Sequence, residues 1–400
     1  MNQEILTKRK GRTELNVFAQ VVMFAYLVIM ALKYFSILPL LTSNLLIIAV
    51  GAVGIVISMI KNGIAAQEKV FIFVLLYMLF GVISLLYNDN ADVQELLWPF
   101  GTMGIGIMLL NFTIPYRTMR LYYYAFCSVF IVIYFLRGSI SEVESASSRN
   151  AVSILTLLVF GFLMISAYEN RKTVSLDVPL IFFFVCFLAV GRGGILLALL
   201  VLALFMVFRF QNGRSSLRKW YALPLYALGL VIVYLLIMRF VPRLIEDVIE
   251  NFESKQLQSL RSQIWREYIS KTSHSFSDIL LGAPVSGTPI LDRYTGNLHN
   301  SFLALHSKYG IVMLLSVAGM LLSSLIRFIQ KKNYYFLIVF LAILFRMNFE
   351  YCDFNGCIDN LLIYLWFYYA NVGKRHPSLR KDYVTPHAIF GKETYGRKKQ

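Results

Sequence analysis

Residues 178–208 read VPLIFFFVCFLAVGRGGILLALLVLALFMVF, an apolar run interrupted by one charge, Arg192. As a single helix the run rises about 46 Å, well beyond a ~30 Å hydrocarbon core. The flanking charges decide how it folds. Arg171 and Lys172 precede it, and Arg209, Arg214, Arg218 and Lys219 follow it. A hairpin keeps both basic clusters on one side of a bilayer, whereas a single crossing separates them. Gly191, Gly193 and Gly194 flank Arg192 and supply freedom for a sharp turn. The stretch therefore reads as two short membrane helices that meet at Arg192.

The rest of the chain is of the same kind. Its 400 residues are 58% hydrophobic and only 15% charged, with a mean hydropathy of +0.64. Soluble domains carry roughly 25% charged residues, so this chain has too few to wet its own surface. Apolar runs near 16–35, 43–60, 70–87, 94–112, 121–136, 150–168, 177–190, 193–208, 221–240, 300–326, 334–346 and 357–372 predict about twelve spans. The run after Lys8-Arg9-Lys10 is expected to be the first of these. It is too long for a cleavable signal and lacks a small-residue cleavage site. No linker, low-complexity tract or internal repeat divides the chain. The expected fold is an all-α, polytopic transmembrane bundle forming one membrane domain, 1–400.

Orientation follows from charge. With both termini and the loops after even-numbered spans in the cytoplasm, about two-thirds of the 38 Lys and Arg lie inside. The net charge of +16 is then a topological bias and does not call for nucleic acid. Residues 241–298 become a long external loop between spans nine and ten. Leu257, Leu260, Ile264, Trp265 and Tyr268 share one face of a short helix there, expected to rest on the membrane surface. Cys127 and Cys186 read as core thiols. Cys352 and Cys357 flank a short external loop, where a disulfide and two thiols fit equally well.

Three external features carry candidate chemistry. An arginine at a turn between short spans, such as Arg192, sits below the outer surface, where it is costly unless a cavity or an anion accompanies it. The alternative is an arginine that snorkels from a helix end. In Arg261-Ser-Gln-Ile-Trp265-Arg266, Arg261 and Trp265 share a helical face, suited to a phosphate and a sugar ring or to lipid headgroups. His299-Asn300-Ser301 opens a span. His306 lies nearly two turns on, giving a stripe of titratable side chains or a capped helix start. Metal chemistry finds little support: there is no HExxH and no DxD. Glu350, Asp353 and Asp359 cluster near the outer ends of the last two spans as a second candidate acid/base group. No Walker A pattern is present, and no cofactor is expected.

Taken in order, these features resemble the O-antigen ligase and Wzy-type polysaccharide polymerase superfamily. The carrying residues are Arg149-Asn150, Gly191-Arg192-Gly193-Gly194, Arg261 to Trp265 with Leu281-Gly282, and His299-Asn300-Ser301 through His306 and Tyr309-Gly310. They span roughly residues 149 to 327; the N-terminal third is generic apolar sequence. Gly191 stands where the family often has serine, Ala283-Pro284 replaces an expected Gly-x-Gly continuation, and Lys308 occupies a position that is often acidic.

The resemblance implies a metal-independent glycosyltransferase of the bacterial cytoplasmic membrane, moving glycan from undecaprenyl diphosphate to an acceptor sugar hydroxyl at the outer face. Arg192 and Arg261 would hold the diphosphate and His299 would take the acceptor proton. Asn300, Trp265, Arg149, Arg266, His306 and Tyr309 would line the substrate site. A repeat-unit polymerase is the preferred form and a ligase the alternative. Membrane lipids surround it, and a chain-length regulator and a flippase are the implied pathway partners. A transporter is the rival from another class, but transporters commonly carry internal repeats, and none shows here.

The orientation has a direct consequence. A membrane-impermeant thiol reagent should label Ser275→Cys in intact cells and Ser215→Cys only after permeabilisation. The reverse pattern overturns the topology.

Overall fold

The computed structural model describes residues 2–63, 68–87, 93–137, 140, 149–211, 249, 261–293, 297–350 and 356–375. These residues form fourteen helices and, among them, no strand. In chain order they are α1 (Asn2–Tyr34), α2 (Leu40–Asn62), α3 (Glu68–Tyr87), α4 (Val93–Asn111), α5 (Tyr116–Arg137), α6 (Arg149–Glu169), α7 (Asp177–Leu188) and α8 (Arg192–Gln211). There follow α9 (Arg261–Ser273), α10 (Phe276–Leu281), α11 (Pro289–Arg293), α12 (Ser301–Gln330), α13 (Tyr334–Phe349) and α14 (Asp359–Arg375). Seven, namely α1, α2, α3, α5, α6, α8 and α12, are long and apolar enough to cross a membrane; α7, α13 and part of α4 are shorter apolar helices. The expected span at 221–240, together with Leu257, Leu260, Cys352 and Asp353, lies outside the described residues.

Large apolar residues line the exterior of several helices as well as the core. On α2 the buried face carries Ser43, Gly51, Gly54 and Ser58, while Leu41, Leu45, Val53, Val56 and Ile60 are exposed. Small residues facing inward let membrane helices approach closely, and large apolar residues suit lipid. The approach is to α4. A Cβ on Gly51 would lie 2.1 Å from the Gly101 carbonyl oxygen, and one on Gly104 would lie 2.4 Å from that of Gly51. The inward hydroxyl of Ser58 donates to the Gly54 carbonyl at 2.7 Å, so it is not stranded.

At the centre stands α6, 94% buried along its apolar window against 28–33% for the other six spans. It packs against α5, α7, α8 and α13. The turn between α7 and α8 reverses the chain. A Cβ on Gly194 would sit 3.9 Å from that of Cys186, where a continuous helix would separate them by about 12 Å. The glycines act differently from the expectation. The positive φ (55°) falls on Val190, a β-branched residue that resists this conformation. Gly193 and Gly194 instead provide clearance: a Cβ there would come within 2.7 Å of Arg346 Nη1 and 2.9 Å of Ser153 Cβ, respectively.

Residues 261–293 and 297–298 fold onto the protein, and the apolar face of α9 is covered by protein. Ile264 and Tyr268 of α9 are buried with Ala283, Val285, Leu291 and Leu298, and Trp265 packs against the same cluster. This group docks on α12, which is bent at Gly310 (φ 72°, ψ −178°). The bend admits the backbone of α10: a Cβ on Gly310 would meet the Leu280 carbonyl oxygen at 2.0 Å. Beyond the bend, residues 311–330 rise about 30 Å, the thickness of one bilayer core, while Ser301–Tyr309 forms a separate segment.

The glycine contacts make opposite demands at two positions. Gly51→Leu must push α2 off α4 and should cost at least ~1–3 kcal/mol, lowering the unfolding midpoint in detergent. Gly319→Ala points into open space and should be neutral or raise the midpoint slightly. Equal midpoints for the two variants would contradict the packing.

Candidate active site

Two consecutive side chains fasten the start of α12 to the end of α13. Asn300 is the N-cap of α12: its Oδ1 accepts from the Phe302 and Leu303 amides at 2.9 and 3.0 Å. Its Nδ2 donates to the Asn348 carbonyl at 3.2 Å, and the Ser301 hydroxyl donates to the Glu350 carbonyl at 2.9 Å. His299, just before this seam, is thereby held beside Glu350, with Nδ1 3.2 Å from Oε1. The His299 backbone adopts φ 47°. Its amide donates to Asn297 Oδ1 at 2.8 Å, and the Trp265 indole fixes the Leu298 carbonyl at 2.8 Å.

Glu350 is the hub. Its Oε2 accepts from Asn150 Nδ2 at 2.9 Å and lies 3.4 Å from Arg261 Nη2 and 3.8 Å from Arg346 Nη2. Burial by itself disfavours the ionised carboxyl. The hydrogen bond from His299 and the charges of Arg346 and Arg261 outweigh that cost and hold its pKa below the ordinary carboxylate value. Burial also lowers the pKa of Arg261; Glu350 opposes this, while Arg346 and Arg192 lie close enough to add to it. One negative charge is thus shared by two guanidiniums and an imidazole, with a third guanidinium nearby.

Arg346 links the hub to the α7–α8 turn. It is 1% exposed, donates to the Asn150 carbonyl at 3.1 Å, and lies against Gly193, next to Arg192. Its Nε has no partner among the described residues. A buried arginine at the end of an apolar helix is costly and normally marks an anion or a polar cavity.

The arrangement sets the histidine's chemistry. An ionised Glu350 only accepts hydrogen bonds, so Nδ1 of a neutral His299 carries the proton and donates it. The lone pair is left on Nε2, oriented for proton abstraction as in carboxylate–histidine pairs. The neighbouring guanidiniums suit a phosphate or diphosphate.

The structure brings Arg261 and His299 to Glu350, with Arg192 close to Arg261. Asn300 and Trp265 support His299, and Arg149 opens α6 next to Asn150. His306 stands apart from this cluster of contacts: its Nδ1 lies 2.7 Å from the Tyr268 hydroxyl and its Nε2 3.0 Å from the Ile279 carbonyl, so both ring nitrogens clamp α9 and α10. Tyr309 is buried against Tyr77, with ring centroids 4.5 Å apart, and Arg266 is exposed. Asp359 accepts from the Gly356 amide at 3.1 Å. Sequence reasoning passed over Arg346 and Asn150 as Glu350 partners. The signal for Arg346 was a charge in an apolar helix four residues before an acid. Among the described residues no group of three His, Cys, Asp or Glu could hold a metal ion. A scan against protein-family models and searches of curated proteins and solved structures find no match.

The depressed Glu350 pKa fixes the sign of a pH effect. Its contribution to stability is fully present above the unfolded-state carboxylate value and is lost as pH falls through the lower folded value. As pH falls from about 5 to about 3, the wild-type unfolding midpoint should therefore drop more than that of Glu350→Gln. Parallel pH profiles would mean the carboxylate is not held as described.

Proposed function

We propose that this chain is a polymerase of lipid-linked oligosaccharide repeat units, working at the outer face of the bacterial cytoplasmic membrane. The observation that carries the reading is the convergence of His299, Arg261 and Arg346 on buried Glu350, next to the turn that bears Arg192. A directed base beside several fixed cations is what transfer from a diphosphate requires. The finer topology, about twelve spans with both termini cytoplasmic, belongs to the same proposal, as do a flippase and a chain-length regulator as pathway partners.

In the reaction, the acceptor hydroxyl oxygen attacks the anomeric carbon of the donor sugar. The bond from that carbon to the diphosphate oxygen breaks, and its electron pair stays on the undecaprenyl diphosphate. The hydroxyl proton passes to His299 Nε2. Negative charge grows on the leaving group, and preplaced guanidiniums in a water-poor site stabilise it by several kcal/mol. Arg192 and Arg261 are the diphosphate ligands on this reading. They require no divalent ion, so activity is expected to survive chelation.

Cells lacking the protein should retain single repeat units and lose long chains. Long chains stranded on undecaprenyl diphosphate would instead identify a ligase, and repeat units trapped at the inner face a transporter. In a reconstituted assay His299→Ala should slow turnover by ~10²–10⁴ at normal membrane abundance. Arg192→Lys should fail to restore activity, because it keeps the charge but not the two-pronged geometry. Wild-type turnover of His299→Ala removes that base from the mechanism, and wild-type turnover of a well-folded Arg192→Lys means that charge suffices and the two-pronged contact is wrong.

A further inference from the structure

We propose that Glu350 is a resident counter-ion that competes with the donor diphosphate for Arg261 and retakes it when the leaving diphosphate departs. The inference rests on the proposed function and gives Glu350 a role beyond orienting His299.

The distances motivate it. A charge-assisted hydrogen bond between guanidinium and carboxylate normally measures about 2.7–2.9 Å and is often two-pronged. Arg261 reaches Glu350 through one nitrogen at 3.4 Å, and Arg346 stands at 3.8 Å. The shortest contact to the Glu350 carboxylate comes from neutral Asn150 at 2.9 Å. Among the described residues the 3.4 Å contact is the single hydrogen bond made by the Arg261 side chain. The fork of Arg261 is thus attracted by Glu350 but not consumed by it.

The carboxylate is anchored independently of Arg261. Asn150 holds Oε2, His299 holds Oε1, and Ser301 holds the Glu350 carbonyl. Arg261 approaches from the external helix α9, whereas Arg346 lies four residues before Glu350 on α13. An entering dianion can therefore draw Arg261 away while Glu350 stays in place. In the empty site Glu350 neutralises the arginines and lowers the cost of burying them. In the loaded site its charge remains next to the diphosphate and weakens binding. Once His299 holds the proton, the same carboxylate faces an imidazolium. After transfer the diphosphate is more negative, and repulsion from Glu350 favours its release.

The test separates affinity from turnover. Inorganic pyrophosphate is titrated, in EDTA, against the purified full-length protein in nanodiscs. Wild type should bind weakly, and Glu350→Gln should bind on the order of tenfold more tightly, since one nearby repulsive charge is gone. Glu350→Asp keeps the charge and should not tighten. Arg261→Gln should weaken binding in both backgrounds. Glu350→Gln should also turn over more slowly, a combination that simple misfolding cannot produce. Should Glu350→Gln not accumulate, Glu350→Met supplies a second neutral side chain of similar length. If the neutral variants bind as wild type does, or more weakly, the counter-ion role is wrong while the diphosphate site stands. If neither wild type nor the neutral variants bind pyrophosphate, the diphosphate site fails and the counter-ion role fails with it.

Discussion

The ionised carboxylate of Glu350, buried at the end of α13, constrains much of what surrounds it. A charge at that depth is tolerated only with partners, and its partners come from four separate parts of the chain: Asn150 at the start of α6, Arg261 on α9, His299 before α12 and Arg346 on α13. Removing any one leaves the others with an uncompensated charge or donor, which is the costly way to break a buried ion pair. The same contacts that satisfy the charge also fix the positions of a base and two cations. Stability and chemistry are therefore coupled at one residue.

Two of the five non-glycine residues with positive φ among the described residues lie near this hub. Val190 and His299 both adopt left-handed backbone conformations, one in the turn before Arg192 and the other beside Glu350. Such conformations cost of order 1–3 kcal/mol each and persist where surrounding contacts overdetermine them. For His299 those contacts are visible: the Asn297 side chain, the Trp265 indole on Leu298, and the Asn300 and Ser301 seam. The strain is matched by support from elements far apart in sequence.

Much of the architecture was legible because membrane physics acts locally. Run length and flanking charge were enough to divide 178–208 into two helices, and hydropathy alone located most of the long helices. The details that depend on tertiary contact were not legible. Periodicity grouped Ile264, Trp265 and Tyr268 on one face, yet could not say whether that face would meet lipid or the protein cluster it joins. It set His299 and His306 on one stripe, but the bend and the docked helices give them different surroundings. Arg346 escaped attention because an arginine near the end of an apolar run also reads as a topology signal. Its meaning depends on Asn150, nearly two hundred residues earlier.

The bend in α12 bears on hydration. Because a stretch of bilayer length begins after Gly310, the segment carrying His306 and Lys308 is not needed to cross a hydrocarbon core. A straight helix of thirty residues would be about 45 Å long, and its polar first turns would have to tilt toward lipid or stand away from the protein. The break instead leaves the first nine residues as a segment that is mostly buried, with His306 held between Tyr268 of α9 and Ile279 of α10, so its polar groups meet protein rather than lipid. What surrounds those polar groups is thereby set by the bend in one helix.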